Sequence, residues 1–254
     1  MRTIGFSGIL CVLVVGAVSP LLHAQATPPP APPRPAYQNL RFDEDWSFLR
    51  DPSRRSDFWD PIKYVRLGGN DTWYVSFGGE TRFRYEAFHN SNFGGDPVHF
   101  NGYLLQRHMA HADLHLGTHV RFFTQLASAL ENGSAHAARS IDEDQLEFHQ
   151  GFLEFDFNFA KKSRWFLRLG RQEMDIGSSR LLATREPQNV RQRFDGARFE
   201  IFTRNNTWRI GAIAFKPVIP KFGVMDDPPD HTTTFTGTYL ITPNPVVRGG
   251  YWSF

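Results

Sequence analysis

Residues 73–88, WYVSFGGETRFRYEAF, alternate between apolar and polar side chains over a stretch longer than most soluble strands. One face would carry Trp73, Val75, Phe77, Gly79, Thr81, Phe83, Tyr85 and Ala87, and the other Tyr74, Ser76, Gly78, Glu80, Arg82, Arg84, Glu86 and Phe88, because alternate residues of a strand point to opposite faces. Soluble strands usually have about five or six residues, whereas membrane-crossing strands need about 9 to 11. The stretch therefore predicts a membrane strand. Lipid must meet its apolar face, because each Arg at the lipid midplane costs about 2–4 kcal/mol.

The same alternation recurs along the rest of the chain, separated by connections rich in Gly, Asn, Asp and Pro. Segments that follow this pattern are residues 103–117, 120–130, 150–157, 165–169, 196–201, 208–217 and 232–241, with residues 246–254 as a further candidate. Serial alternating strands without an apolar helical run are typical of a transmembrane barrel. We therefore predict an all-β fold in which residues 73–254 form about eight or nine strands of an antiparallel transmembrane β-barrel.

The amino terminus carries targeting features. Residues 1–26 combine Arg2, an apolar run and a small-residue cleavage site, which predicts a secretory signal peptide. A membrane-spanning helix is the alternative, but about 15 apolar residues are fewer than the roughly 20 that a span needs. We predict that residues 27–37 form a proline-rich linker and residues 38–72 a segment on the periplasmic side of an outer-membrane protein.

The overall charge is nearly balanced, because 28 basic and 26 acidic residues give a net charge of +2. Nucleic-acid binding is not expected, since it usually shows as a strong excess of basic residues. Any electrostatic function therefore depends on where the charged residues lie along the strands.

Several arginines share the parity of the polar face. They are Arg82, Arg84, Arg107, Arg121, Arg168 and Arg198. Rings of basic side chains make pores selective for anions, because the low-dielectric wall focuses their field on the passing ion. The alternative is a salt-bridged interior in which these arginines pair with Glu80, Glu86, Asp113, Glu154 and Glu200. Both interpretations place the arginines on the interior face.

Two histidines and an aspartate, His111, Asp113 and His115, fall on one face of a predicted strand. Same-face residues are about 6.6 Å apart along a strand, so three of them do not readily converge on a metal ion. Ser128 and Ser179 lack the sequence setting of a catalytic nucleophile. We therefore predict no metal site, no cofactor, no catalytic residue and no enzymatic activity.

Seven short motifs together resemble the outer-membrane alginate export family. They are FDEDW at 42–46, FLRDP at 48–52, WDPIKY at 59–64, LLQRHMAHADLHLG at 104–117, IDEDQLEFHQGF at 141–152, LRLGRQEM at 167–174 and NVRQRFDGARF at 189–199. The resemblance implies a large outer-membrane barrel whose basic lumen conducts a polyanionic, alginate-like polysaccharide. It also implies outer-membrane lipid and periplasmic secretion components as partners.

The resemblance further implies a role for Arg171, the arginine of LRLGRQ, in a positively charged constriction. Strict alternation disagrees, because Arg171 shares its parity with Leu167 and Leu169 on the lipid face. Glycine tolerates the backbone of a β-bulge, so we predict a bulge at Gly170 that turns Arg171 inward. The predicted channel-lining set is then Arg82, Arg84, Arg107, Arg121, Arg168, Arg171 and Arg198.

The chain has fewer predicted strands than the members of that family, which close a barrel with about twice as many. An eight-stranded barrel is filled by its own side chains. We therefore predict that this chain is the amino-terminal portion of a larger barrel and does not conduct alone. Two alternatives stand beside this prediction: a narrow porin for small organic anions, and a plugged structural or enzymatic barrel in the outer membrane.

Overall fold

The computed structural model describes residues 34–158, 163–177, 179, 182–203, 207–243 and 251–253. Within them the chain forms one antiparallel sheet whose strands follow one another in chain order. The strands are β1 (Val65–Arg66), β2 (Trp73–His89), β3 (Phe100–Leu116), β4 (Val120–Asn132), β5 (Asp144–Asn158), β6 (Arg164–Gln172), β7 (Phe194–Thr203), β8 (Trp208–Pro217), β9 (Phe235–Pro243) and β10 (Tyr251–Ser253). The helical elements are short: 3-10 turns at Arg41–Asp43, Ser47–Arg50, Pro52–Arg54 and Asn92–Gly94, and one α-helical turn at Asp60–Lys63. This confirms the predicted all-β antiparallel class, while the signal peptide at residues 1–26 and most of the linker lie outside the described residues.

The two faces of the sheet are inverted relative to those of a soluble protein. Phe77, Phe83 and Tyr85 of β2 are 42%, 61% and 64% exposed, although each is a large apolar side chain. On the opposite face Arg107 of β3 is 1% exposed and Arg168 of β6 is 4% exposed. Burying charge and exposing aromatic rings is favourable where lipid covers the outside, so this sheet has the character of a transmembrane barrel wall. We call the face with the buried polar residues the inward face.

The predicted faces of individual strands are confirmed. In β4, Phe122 and Leu126 point outward, whereas Phe123 and Gln125 are buried on the inward face. His108 interrupts the apolar set of β3 and stays on the outward face, where its Nδ1 lies 3.2 Å from the hydroxyl oxygen of an exposed threonine of β2. One polar residue on the lipid side is therefore satisfied by its cross-strand neighbour.

The strands define two different ends of the sheet. Connections of three to seven residues lie at one end, for example residues 117–119 between β3 and β4. Connections at the other end are longer, and the longest are residues 173–193 between β6 and β7 and residues 218–234 between β8 and β9. Short periplasmic turns and long external loops are the rule for outer-membrane barrels. We call the two ends the short-turn end and the long-connection end.

The edge strands of the described sheet are β1 and β10, and its longest strands are β2 and β3. Within the described residues the sheet is open, because β1 pairs only with β2 and β10 only with β9. β2 and β3 pair from Trp73–Leu116 at one end to His89–Phe100 at the other, over seventeen residues. Of the residues that the structure describes, none belongs to a helix with the length and apolarity to span a membrane.

The predicted bulge at Gly170 is wrong. The pairing of β6 with β5 and with β7 continues without a register shift through this residue. Glycine serves a close backbone approach instead: φ is +128°, and a Cβ at Gly170 would lie 2.3 Å from the carbonyl oxygen of Gly151. Two register shifts lie instead in the pairing of β4 with β5: one between Gln125 and Leu126, which leaves His149 of β5 as the extra residue, and one between Ala127 and Ala129. β5 therefore changes the facing of its side chains, and β6 does not.

The segment before β2 packs into the interior at the short-turn end. We call residues 38–46 the amino-terminal segment. Its Phe42 meets Phe123 and Phe152 of the inward face, with ring centroids 5.8 and 5.3 Å away. The residues that follow it bury a second apolar cluster against Tyr74, near the start of β2. The amino-terminal segment is therefore part of the interior and not a free tail.

The β6–β7 connection, residues 173–193, also folds onto the inward face, and we call it the inward connection. Asn189 anchors it, because its Nδ2 donates to the carbonyl oxygens of Gln106, Leu130 and Asp142 at 3.1, 3.3 and 2.8 Å. These three acceptors belong to β3, β4 and the connection that precedes β5. The inward connection thus spans several strands and covers their polar side chains.

Candidate functional site

All seven arginines of the predicted channel-lining set form ion pairs. The pairs are Arg82 with Glu186, Arg84 with Glu86, Arg107 with Glu80, Arg121 with Asp113, Arg168 with Glu154, Arg171 with Asp195 and Arg198 with Glu200. Five of these acidic partners are the ones named by the salt-bridged alternative, whereas Glu186 and Asp195 were not expected. The arginines other than Arg171 lie on the inward face.

Two pairs of arginines face each other directly across neighbouring strands. Arg82 of β2 is the register partner of Arg107 of β3, and Arg168 of β6 is the partner of Arg198 of β7. Like charges placed opposite each other destabilise a sheet, so each pair requires counter-ions. We call Arg82 with Arg107 the first arginine pair and Arg168 with Arg198 the second arginine pair.

The first arginine pair takes one of its two counter-ions from the inward connection and the other from β2. Glu186 Oε1 lies 2.5 Å from Arg107 Nη2 and 3.3 Å from Arg82 Nη1. Glu80 Oε1 lies 2.6 Å from Arg107 Nη2, and Arg82 donates Nη2 to a backbone carbonyl of the inward connection at 2.9 Å. Arg191 reaches the other oxygen of Glu186 with Nε at 3.1 Å. One carboxylate of a connection therefore serves three arginines.

The second arginine pair takes its counter-ions from the strands. Arg168 Nε donates to Glu154 Oε2 at 2.8 Å, and Arg198 Nη2 lies 2.6 Å from Glu200 Oε1. Arg209 of β8 shares the same oxygen of Glu200 at 2.5 Å. Glu200 is fully buried. This pair is neutralised by residues that cannot move without the sheet.

A cavity of about 440 Å³ lies beside the second arginine pair. The arginines that line it are Arg121, Arg164, Arg168, Arg198 and Arg209, which we call the basic wall. The amino-terminal segment contributes Asp43, Glu44 and Asp45, which we call the acidic wall. Arg168 Cζ lies 4.1 Å from the ring centre of Phe42, a cation–π contact that fixes the segment beside the arginines.

Arg171 keeps the outward parity of β6 and lies in a separate ion cluster. It binds Asp195 through Nε at 2.8 Å and Nη2 at 3.0 Å, and Glu147 through Nη1 at 3.1 Å. The β8–β9 connection covers it, since the carbonyl oxygen of Asp227 accepts from Nη2 at 3.0 Å. Arg171 is therefore sheltered by a connection and stands apart from the arginines of the inward face.

The same cluster contains three buried carboxylates that the sequence did not single out. Oxygens of Asp144, Glu147 and Asp227 lie within 4.8 Å of one another, and carboxylates are the ligands that calcium prefers. Arg193 already pairs with Asp144 at 3.4 Å and with Asp227. The guanidinium therefore supplies the positive charge that a cation would bring. Asp227 is far in sequence from Asp144 and Glu147, so the three form no motif, which is why sequence reasoning missed the group.

A buried histidine–carboxylate pair lies where the inward connection leaves β6. His149 Nε2 is 2.7 Å from Glu173 Oε1, and Arg191 Nε is 2.9 Å from the same oxygen. Burial raises the pKa of Glu173 to about 7, while the charges of Arg191, Arg107 and Arg193 act in the opposite direction. Glu173 is thus a proton-sensitive contact of the inward connection.

The three residues weighed as metal ligands are used for packing and ion pairing. Asp113 binds Arg121 at 2.6 Å and His115 Nε2 at 3.2 Å. His111 stacks on Phe123, with ring centroids 5.4 Å apart. In the part of the chain that the structure describes, these three side chains do not form a group that could hold a metal ion.

A comparison with protein families places this sequence. The model of the family described as alginate export matches residues 73–243, which is more than half of the chain and includes β2 to β9. No curated protein matches the chain, and no solved structure matches it.

Proposed function

This chain belongs to the alginate export family. From that premise we propose that it forms part of the wall of a channel for an anionic, alginate-like polysaccharide. The family is one of outer-membrane porins for polysaccharide export and not of catalysts. One observation carries the proposal: arginines lie opposite each other on the inward face, in the two cross-strand pairs. An anionic polymer moving along that face would meet positive charge in succession.

We propose the six arginines of the inward face as the channel-lining residues: Arg82, Arg84, Arg107, Arg121, Arg168 and Arg198. Arg171 keeps the outward parity of β6 and is not part of this lining. Each of the six now holds a protein carboxylate or shares one. A uronate carries the same chemical group, so it can replace a protein carboxylate without leaving a buried arginine unpaired. Glu186 is the best placed for such an exchange, because its side chain is 38% exposed while Arg107 is buried.

The other partners follow from the two surfaces of the sheet. Outer-membrane lipid would cover the outward aromatic face, which includes Phe83 and Tyr85. Periplasmic secretion components would meet the short-turn end, where we propose that residues 38–72 lie on the periplasmic side. The signal peptide proposed at residues 1–26 would deliver the chain across the inner membrane.

A plugged structural barrel is the second candidate function, and a specific observation favours it. Every arginine of the proposed lining is neutralised, and the amino-terminal segment and the inward connection both occupy the interior. In such a barrel the ion pairs would be structural, and an anionic sugar would have nothing to displace.

Calorimetric titration separates the two functions. The refolded chain in detergent is titrated with a hexamer of mannuronate and with a neutral hexamer of mannose. Channel function predicts binding of the uronate that weakens strongly between about 0.1 M and about 1 M salt, as the Debye length falls from about 10 to about 3 Å. Equal binding of both hexamers, or no binding of the uronate at the lower salt, would support the plugged barrel.

A further inference from the structure

The cavity beside the second arginine pair is built from two walls of opposite charge. Its volume of about 440 Å³ falls within the roughly 300–1,000 Å³ that small-molecule sites occupy. Rings of Phe42, Phe166 and Phe202 supply apolar surface between the walls. A site of this size and composition suits a short stretch of a charged sugar chain.

The basic wall can bind a further anion, because the strand carboxylates do not balance all of its positive charge. Its five arginines share four strand carboxylates: Asp113 with Arg121, Asp156 with Arg164, Glu154 with Arg168, and Glu200 with both Arg198 and Arg209. The strands alone therefore leave one positive charge in excess, while Asp43, Glu44, Asp45 and Asp175 add further carboxylates to the cavity lining. In addition, Arg168 is 4% exposed, and its Nη1 has no hydrogen-bond partner. A buried guanidinium nitrogen without an acceptor is costly unless something binds it.

The acidic wall is held in place, but its two aspartates are not ion-paired with the basic wall. Arg121 donates to the carbonyl oxygen of Phe42, which fixes the backbone immediately before Asp43. Among the described residues, neither Asp43 nor Asp45 forms an ion pair. The surrounding protein raises the pKa of Asp43 by desolvation, against the opposing charges of the basic wall. Both carboxylates thus line the cavity, and among the described residues neither is ion-paired with an arginine of the basic wall.

We propose that this cavity is a uronate subsite, in which the basic wall binds a sugar carboxylate and Asp43 and Asp45 hold its affinity low. The proposal rests on the proposed function and deepens it. A channel must bind its cargo strongly enough to admit it and weakly enough to release it. The two aspartates repel an anion at the subsite while leaving the arginines in place, so release does not require any ion pair of the sheet to break.

The test compares two double variants with the same change of charge. Asp43→Asn with Asp45→Asn neutralises the acidic wall, and the remaining amide oxygen at 45 can still accept from Ser47 N, as Asp45 Oδ1 does at 2.9 Å. Asp51→Asn with Asp57→Asn is the matched control. Both of these residues lie before β1 and away from the cavity lining, and each accepts a local backbone hydrogen bond in the same way.

Affinity for the mannuronate hexamer is measured by calorimetry at about 0.1 M salt. We expect the Asp43/Asp45 variant to bind about five- to tenfold more tightly than the wild type, because two negative charges at close range are removed. The Asp51/Asp57 variant should stay within about twofold of the wild type. Circular dichroism and the urea midpoint confirm that both variants are folded.

The possible failures are distinct. If the wild type binds the hexamer and the Asp43/Asp45 variant binds it equally well, the subsite is overturned and the channel function stands. A gain of the same size in the Asp51/Asp57 variant also overturns the subsite, since it would reflect net charge alone. If no variant binds the hexamer, the proposed function fails and the subsite fails with it.

Discussion

The two arginine pairs solve the same electrostatic problem in different ways. Both place guanidinium groups directly opposite each other on neighbouring strands, where like charges repel. The second pair relies on Glu154 and Glu200, which are strand residues next to the arginines they serve. The first pair relies on Glu186, which arrives from a connection that follows β6.

The difference teaches which part of the interior can rearrange. A counter-ion on a strand is fixed by the hydrogen bonds of the sheet, so the second pair keeps Glu154 and Glu200 as its counter-ions while the sheet is intact. A counter-ion on a connection can leave while the sheet stays intact, since local opening is cheaper in connections than in the strands they join. The first pair is therefore the place where a protein carboxylate can be exchanged for that of a substrate.

The largest loss of folding stability is expected when the second arginine pair loses a counter-ion. Glu200→Gln leaves Arg198 and Arg209 buried without their shared carboxylate, and breaking a buried ion pair in this way costs about 3–5 kcal/mol. The free energy of unfolding, from urea titration in detergent followed by tryptophan fluorescence, should fall by that amount. A loss below about 1 kcal/mol would mean that the strand-borne counter-ion is dispensable, and the contrast between the pairs would disappear.

A smaller effect is expected when the first pair loses its mobile counter-ion. Glu186→Gln should lower the free energy of unfolding by about 1–2 kcal/mol, because Glu80 still pairs with Arg107 and a backbone carbonyl still accepts from Arg82. The same variant should bind the mannuronate hexamer more tightly, since an internal competitor is removed. Equal destabilisation by Glu186→Gln and Glu200→Gln would contradict the division into a fixed and an exchangeable half.

A pH dependence of stability should come from Glu173, at the start of the inward connection. Its carboxyl pKa is raised from the ordinary 4.5 to about 7, so between these values the folded chain binds more protons than the unfolded chain. The stability from this residue is complete below about pH 4.5 and is lost as the pH rises through about 7. Urea midpoints across this range should fall with pH in the wild type, and the fall should be reduced in Glu173→Gln.

The smallest effect is expected at an exposed ion pair near the β1–β2 turn. Arg66 Nη2 lies 2.7 Å from Asp71 Oδ1, with both side chains about half exposed. Solvent screens such pairs, so Arg66→Gln should change the free energy of unfolding by less than about 0.5 kcal/mol. This variant supplies the baseline for Glu200→Gln and Glu186→Gln. A larger loss would show that charge removal at any site disturbs the fold.

The fold could be predicted from alternation because a strand has an exact side-chain period of two. That period placed the outward set of β2 and the inward arginines, and it put Glu154 and Glu200 within reach of Arg168 and Arg198. It also failed where the period breaks. Gly170 suggested a bulge from its chemistry, but the register shifts fall between β4 and β5, one of them at His149, which has no special preference for a bulge.

The side chains proposed for carboxylate exchange and for the subsite could not be predicted from the alternation of the strands. Glu186, Asp43 and Asp45 lie outside the long strands, and no periodicity tells where a connection will place its side chains. Their positions depend on long-range anchors such as Asn189 and Phe42, which bind residues far away in sequence. The sequence therefore predicts the arginines and their partners on the strands, but not the side chains that the connections and the amino-terminal segment bring to them.

The chain-order arrangement of the strands has a consequence for the time course of folding. Each strand pairs with its immediate predecessor, so the strands can join the sheet in the order in which they occur in the chain. The β2–β3 hairpin can form first, and it brings Arg82 against Arg107 when only Glu80 is at hand. Glu186 lies after β6, so it can join the pair only after about three more strands have been added to the sheet. During assembly the first pair is therefore a transient electropositive patch, and an external polyanion present at that moment would act as a folding aid for the hairpin.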